Sequence, residues 1–443
     1  MTVMWLNGPF GNGKSAIMQT VADRLRKSLH SSHLLAASFF FGRGKDRRDK
    51  ADYLIPTIAY QVAISIPPMR SLVDAAIIRD PTILSKSIDS QLRYLVTNPL
   101  HQIAAHAAAP FHTPTVIIDG LDECEGRDSQ RLILEAISTA VFTDRIQLRF
   151  LIASRPESQI AEIFRTHPLD QHYSITLVND YQTKEEMRQY LQTGFEKIWK
   201  RRCDLMSTVK RPWPSDDELS TLVYRASGQF LYASTVLRFV DSDMAHPVRQ
   251  LALILQRQPG YGIAFSTMDE LYSLILESCP CQQHFPSFFR SLVIHRALGF
   301  NGISGVKPTL ANYAIISGLD PIDISLLLRW LPAAIEFQWP RQEDLPDGWP
   351  LEAFMQHYSP QLTVHHESFL EFLTDRTRSG KFYVDDVEVG YTQMLDRLDV
   401  IVAERLEQTI WYLWYPQASV VANSKSSFTA KTCPGFIDPH GSL

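Results

Sequence analysis

The sequence predicts an α/β fold, a five-stranded parallel sheet with helices on both faces, followed by an all-helical half. Three observations carry that expectation. Strand-like runs alternate with helical stretches up to about residue 178, the order that builds parallel sheets. The glycine-rich octet Gly8–Ser15, GPFGNGKS, separates the first run from the first helix. A second β-branched run, Thr115–Asp119, ends in an acid.

The strand-like runs are Val3–Leu6, Leu34–Phe41, Thr115–Asp119, Leu148–Ala153 and Tyr173–Leu177. Helices are expected over Ser15–Leu29, Tyr53–Ser65, Met69–Asp80, Ser90–Ala107, Ser129–Thr139 and Glu157–Phe164, with Pro67-Pro68 breaking the second from the third. From Thr183 the pattern turns helical, with acids in the first turn and Met187, Tyr190, Leu191 and Phe195 at helical spacing. A loop over Lys200–Pro214 precedes a helical part over Asp216–Phe239, where Phe230 and Tyr232 read as core. A further helical region runs from Met268 to Trp330, reopening at Pro321 after the turn Gly318–Pro321. Residues 336–361 read as an inserted loop. A short strand from Leu362 passes into a helix through Leu373, and a last helix spans roughly Gly390–Trp414. The polar stretch after Gln417 is expected to be disordered.

Gly8–Ser15 has the spacing G-x-x-x-x-G-K-S, that of a P-loop. Gly8, Gly11 and Gly13 permit a tight turn whose N–H groups face an anion, and the helix N-terminus adds partial positive charge. Asn12 and Ala16 complete the loop and the first helical turn. Lys14 can reach β- and γ-phosphates, and the Ser15 hydroxyl can ligate Mg²⁺. Asp119, at the carboxyl end of a buried strand, can hold the same ion. The position after it is Gly120, so a hydrolytic base has to be Asp122 or Glu123; the alternative is that both only tune Mg²⁺ and hold the loop. Arg155 follows the fourth strand. It either reaches the rim near Asp119 to sense a γ-phosphate or is a surface residue at a strand end.

The chain of 443 residues has room for two or three domains. With 45% hydrophobic and 21% charged residues it is globular, and a net charge of −5 offers no bulk attraction to nucleic acid or anionic membrane. The basic run from Arg43 to Lys50 is interrupted by Asp46 and Asp49 and reads as a solvated loop. Five scattered cysteines suit a reducing, cytoplasmic setting better than a disulfide framework. Cys279, Cys281 and His284 lack the second pair that a zinc site needs. No signal peptide is evident, and no apolar stretch reaches about 18 residues.

Together, GPFGNGKS, Asp119–Glu123 (DGLDE) and Ser154-Arg155-Pro156 resemble the NACHT domain of the STAND class of P-loop NTPases. The likeness is to fungal NLR-like proteins, whose NTPase region also resembles the N-terminal part of nephrocystin-3. Agreeing stretches are Ala37–Phe41, Pro56–Ala63, Ser227–Ala233 and the H-x-S-F-x-[DE]-F-L-like His366–Leu373. The resemblance runs from about residue 3 to 410. It implies an NTPase core over 1–180, a helical domain over 181–262, a winged-helix-like domain over 263–378, a helical segment over 379–417 and a tail over 418–443. It also implies roles. Lys14 and Ser15 take phosphate and Mg²⁺, Asp119 the metal, Asp122 and Glu123 the extra acidic pair, and Arg155 the γ-phosphate. His366 contacts the β-phosphate of ADP and locks a closed state. Phe230 departs from the pattern, standing where a Gly-x-Pro proline often packs on adenine.

The resulting expectation is an ATP/ADP-binding switch with slow or absent hydrolysis, controlling self-association or association with other NLR-like chains. The chain is expected to carry the switch alone, with neither an N-terminal trigger domain nor a C-terminal repeat array. A nucleotide-stabilised scaffold and a small-metabolite kinase are the other readings, the kinase the weaker of the two.

Overall fold

The computed structural model describes residues 2–27, 34–43, 47–106, 113–166, 173–178, 181–257, 266–297, 310–337, 362–384 and 392. The chain divides into two units, residues 1–390 and 391–443. The expected helix over Gly390–Trp414 and the polar tail lie outside the described residues, apart from the helical Thr392. All that follows concerns the first unit.

The five expected strands all form: β1 (Val3–Asn7), β2 (Leu35–Phe40), β3 (Thr115–Asp119), β4 (Arg149–Ser154) and β5 (Tyr173–Thr176). They build one parallel sheet in the order β2-β3-β4-β1-β5. Every carboxyl end therefore lies on the same edge, where open α/β sheets bind ligands. The interior strands explain the unbroken apolar runs, because both faces are covered. On one face Leu6, Ile117 and Ala153 pack against Met18 and Ala22 of α1 (Lys14–Lys27). On the other, Val3, Trp5, Val116, Ile118, Phe150 and Ile152 join the larger core under the remaining helices. This is the period-two alternation of strand side chains.

Helices α2 (Leu54–Ser65) and α3 (Met69–Arg79) follow β2 as expected. Gln61 of α2 satisfies the edge strand: Ser38 N donates to its Oε1 at 2.8 Å, and its Nε2 donates to Ser38 O at 3.0 Å. A side-chain amide thus does what a sixth strand would do, which blunts an exposed edge. The helix expected over Ser90–Ala107 begins earlier and is not uniform. It comprises α4 (Ile88–Leu92), a π turn (Arg93–Thr97) and α5 (Asn98–His106). Pro99 has no N–H for the carbonyl four residues back, and the wider turn accommodates that loss. Helices α6 (Arg127–Ser138) and α7 (Ser158–Thr166) complete the sheet region.

The helical half begins with α8 (Tyr181–Arg201). The loop expected over Lys200–Pro214 is partly helical, because α8 reaches Arg201 and α9 (Cys203–Met206) buries Met206. α10 (Asp216–Ala226) starts in a capping box, with Ser215 and Glu218 each bonding the other's backbone. It ends at a left-handed Ser227 before α11 (Phe230–Val240). Then come α12 (Pro247–Gln256), α13 (Ser266–Glu277), α14 (Phe285–Ala297), α15 (Leu310–Ser317) and α16 (Pro321–Trp330). Asp320 caps α16 with Pro321 at its first position.

The expected inserted loop loses its first residues to β6 (Ile335–Phe337), which pairs antiparallel with β7 (Leu362–Val364). The residues between these strands lie outside the described set. β7 leads into α17 (Glu367–Leu373). One core, from Met187 to Val384, joins these helices, α9 apart, and the β6–β7 pair.

Candidate functional site

The strand-end edge of the sheet opens into a cavity of about 590 Å³, within the usual range for small-molecule sites. Its polar end is built by three loops that follow strands. After β1 the chain turns through Gly8–Gly13 into α1, with Gly11 at φ +77° and Gly13 at +83°. A Cβ on Gly11 would also sit 3.2 Å from Leu231 Cβ, so this glycine answers both to the turn and to α11. Lys14 Nζ donates to the carbonyls of Gly8 and Pro9, both at 2.8 Å, which brings the ammonium over the loop. Burial holds its pKa below the ordinary lysine value.

After β3, Asp119 is 4% exposed and accepts a hydrogen bond from the Ser15 hydroxyl. Desolvation is the main reason its pKa is raised to about 6. Its Oδ1 is buried without a hydrogen-bond partner. A buried, unsatisfied carboxylate oxygen beside a hydroxyl is the donor set a hard cation takes, so the residues fit Mg²⁺. Gly120 follows at φ +69°, a left-handed position that glycine adopts without strain.

After β4, Arg155 turns back to the rim. Its backbone N donates to Asp122 Oδ1 at 2.9 Å, and its Nε lies 3.1 Å from Asp122 Oδ2. Both oxygens of Asp122 are thereby engaged. Glu123 Oε2 accepts from the backbone N–H of Arg43 at 3.2 Å.

The less polar end comes from β5 and the helical half. Leu177, Tyr190, Phe230 and Leu231 line it. Leu231 N donates to Gly11 O at 3.2 Å, seating the start of α11 on the P-loop turn. Phe230 meets Tyr190 edge to face, centroids 5.7 Å apart. His366 closes the cavity from the cap of α17. Its Nδ1 accepts from Ser368 N at 3.1 Å, which fixes the ring's direction.

The cavity thus gathers Gly11, Asn12, Gly13, Lys14, Ser15, Ala16, Asp119, Asp122, Glu123, Arg155 and His366. Gly8 does not line it; a Cβ there would meet Leu177 Cβ at 3.0 Å, and its carbonyl serves Lys14 instead. Asn12 is buried and reaches the Leu177 carbonyl at 3.4 Å, bracing the loop against the exit of β5. Phe230, read as core, packs against the helical core and also forms a cavity wall, and Tyr232 is core as expected. Helical periodicity marks the apolar face of α11 but not its amino-terminal turn, which meets the P-loop.

Phe10 escaped the sequence reading because it occupies an unspecified position of the motif. Its ring lies 4.7 Å beneath the Arg155 guanidinium and 4.5 Å from His366, edge to face. A bulky aromatic side chain in a glycine-rich turn was the signal that could have found it.

Residues 1–155 match the family model described as Nephrocystin 3, N-terminal. That span carries β1 to β4, the P-loop, Asp119–Glu123 and Arg155; it does not reach α8, α11 or His366. Comparison with curated proteins gives no match. Among solved structures, Drosophila ORC bound to DNA is similar at a TM-score of 0.32 and 13% identity, over 87% of this chain and 92% of that chain. A likeness that low bears on neither site nor activity.

Proposed function

We propose that this chain is an ATP/ADP-binding signalling switch of the STAND/NACHT type, with slow or absent hydrolysis. One observation carries the reading. The strand-end loops that suit phosphate and Mg²⁺ share a cavity with His366, which lies far along the chain in the helical half. A site that needs both halves can report its ligand to both.

In this reading the N–H groups of Gly11–Ala16 and the Lys14 ammonium cradle the β- and γ-phosphates. Ser15 and Asp119 hold Mg²⁺, which would neutralise phosphate charge. Arg155 meets the γ-phosphate. His366 contacts the β-phosphate of ADP from the winged-helix-like domain, formed by α13 to α17 and the β6–β7 pair. Of the two candidate bases, Asp122 is held by Arg155 through both oxygens and Glu123 accepts from the Arg43 N–H. An acid so engaged supports slow turnover rather than rapid hydrolysis. The open form would associate with further copies or with related chains in the cytoplasm.

The test is the nucleotide carried by the purified protein, released by denaturation and quantified. ADP should be present in unmodified protein and lost in Lys14→Ala. Truncating a charged partner of this kind costs roughly 2–5 kcal/mol, at least about 30-fold in Kd. No bound nucleotide, and no uptake of ATP with Mg²⁺, would overturn the reading and leave the scaffold alternative.

A further inference from the structure

We infer that Phe10 is a positioning residue that ties the Arg155 guanidinium to His366, so that a γ-phosphate drawing on Arg155 is felt by α17. The inference rests on the switch reading above and goes beyond its lock: it names what connects the γ-phosphate end of the site to the helical half.

Phe10 sits between two groups with different loyalties. Arg155 stacks on its face at 4.7 Å while paired to Asp122 at 3.1 Å. His366 presses on it with ring centroids 4.5 Å apart and planes at 87°. Arg155 belongs to the sheet, directly after β4. His366 belongs to the helical core: its cap partner Ser368 bonds Tyr272 Oη at 2.8 Å, and Tyr272 packs on Phe369 and Phe372. The P-loop ring is therefore a direct bridge between a candidate phosphate arginine and the helical half.

The charges set the direction of the effect. A guanidinium gains from an aromatic face, but a phosphate oxygen offers a charge-assisted hydrogen bond that is stronger. A γ-phosphate therefore draws Arg155 off the ring. ADP lacks that phosphate and leaves the stack intact. Phe10 then has different neighbours in the two states, which is what a ligand needs in order to shift an equilibrium.

A second tie reaches the same helix. Arg43, whose N–H bonds Glu123, pairs through its Nη1 with Glu371 Oε1 at 3.1 Å. Both ends of that pair are partly exposed, so it is the weaker of the two. It serves as the control.

The experiment is hydrogen exchange of the amides of residues 367–373 in the full chain, with ADP or a non-hydrolysable ATP analogue and Mg²⁺, and both affinities measured alongside. In unmodified protein the analogue should speed exchange about tenfold relative to ADP, a change that local opening readily spans. Phe10→Leu should shrink that difference to less than about twofold while both nucleotides still bind. Phe10→Tyr, which keeps the ring, should retain it, and Glu371→Gln should leave most of it. A full difference in Phe10→Leu overturns the inference, as does equal exchange with the two nucleotides in unmodified protein that binds both. Failure of unmodified protein to bind either one overturns the switch reading, and the role of Phe10 with it.

Discussion

The sheet region and the helical half both furnish walls of one cavity, but they hold those walls differently. In the sheet region, Asp119 and Arg155 sit at or just past the ends of strands whose mutual register is set by backbone pairing, Ile118 opposite Ile152 and Asn7 opposite Ser154, and the turn after β1 carries Lys14. Their places follow from the sheet itself. In the helical half, Phe230, Leu231 and His366 sit at the amino ends of helices that meet the P-loop through individual contacts. These include Leu231 N to Gly11 O and the edge of Phe10 on His366. The sheet region is held by continuous backbone pairing, and the helical half meets it through a few separate contacts. Separate cores reinforce this: one spans Val3 to Phe164, the other Met187 to Val384.

The largest way to break the comparison is to hollow each core in turn. Phe150 lies in the sheet core and Phe369 in the helical core, both almost fully buried. Replacing either with Ala should cost about 3–5 kcal/mol. If the two halves are as separable as their cores suggest, calorimetry of Phe369→Ala should show a lowered helical transition with the sheet transition kept. A single transition, shifted equally by both variants, would mean that the halves unfold as one.

A smaller effect sharpens the electrostatics of the sheet side. The folded pKa of Asp119, about 6, lies above the ordinary aspartate value. Folding thus favours the protonated form. Its contribution to stability is fully present only below the ordinary aspartate pKa and is lost as pH rises through about 6, on the order of 3 kcal/mol for the nucleotide-free protein. Asp119→Asn should then come close to the unmodified protein near pH 3.5 and exceed it in stability near pH 7.5, measured by urea unfolding. A difference independent of pH would show that desolvation does not govern this carboxylate. In the switch reading, Mg²⁺ held by Asp119 would reverse the preference by favouring the ionised form, and its binding should then release protons between about pH 5 and 7.

The smallest of the three probes the seam itself. Gly11→Ala places a Cβ at a left-handed φ and within 3.2 Å of Leu231 Cβ. About 1–2 kcal/mol of strain is expected, relieved if α11 shifts away from the P-loop. Faster exchange at the amides of Phe230 and Leu231, with α1 unchanged, would place the strain at the seam. Loss of protection along α1 instead would show that the P-loop gives way first.

Much of this is legible in the sequence. The three interior strands, β3, β4 and β1, are wrapped on both sides and so carry apolar runs visible in the sequence, and the strand-turn-helix context made Gly8–Ser15 readable as a phosphate loop. Where local reading failed, the deciding group was remote or backbone-specific. The π turn before Pro99 follows from a missing donor, and the strand at Ile335–Phe337 exists only because Leu362–Val364 returns to pair with it. Phe230 packs on the core as its spacing suggests, but periodicity reports burial and not that its other neighbour is the cavity.

The sequence by itself determined the α/β class, the P-loop and the acid at the end of β3, because each follows from side-chain period, glycine placement and short-range order along the chain. Only the tertiary structure decided that both oxygens of Asp122 are engaged by Arg155, that Gly8 faces Leu177 rather than the cavity, and that Phe10 lies between Arg155 and His366. Those facts depend on contacts between residues far apart in the chain, and local propensity carries no record of which distant side chain will arrive.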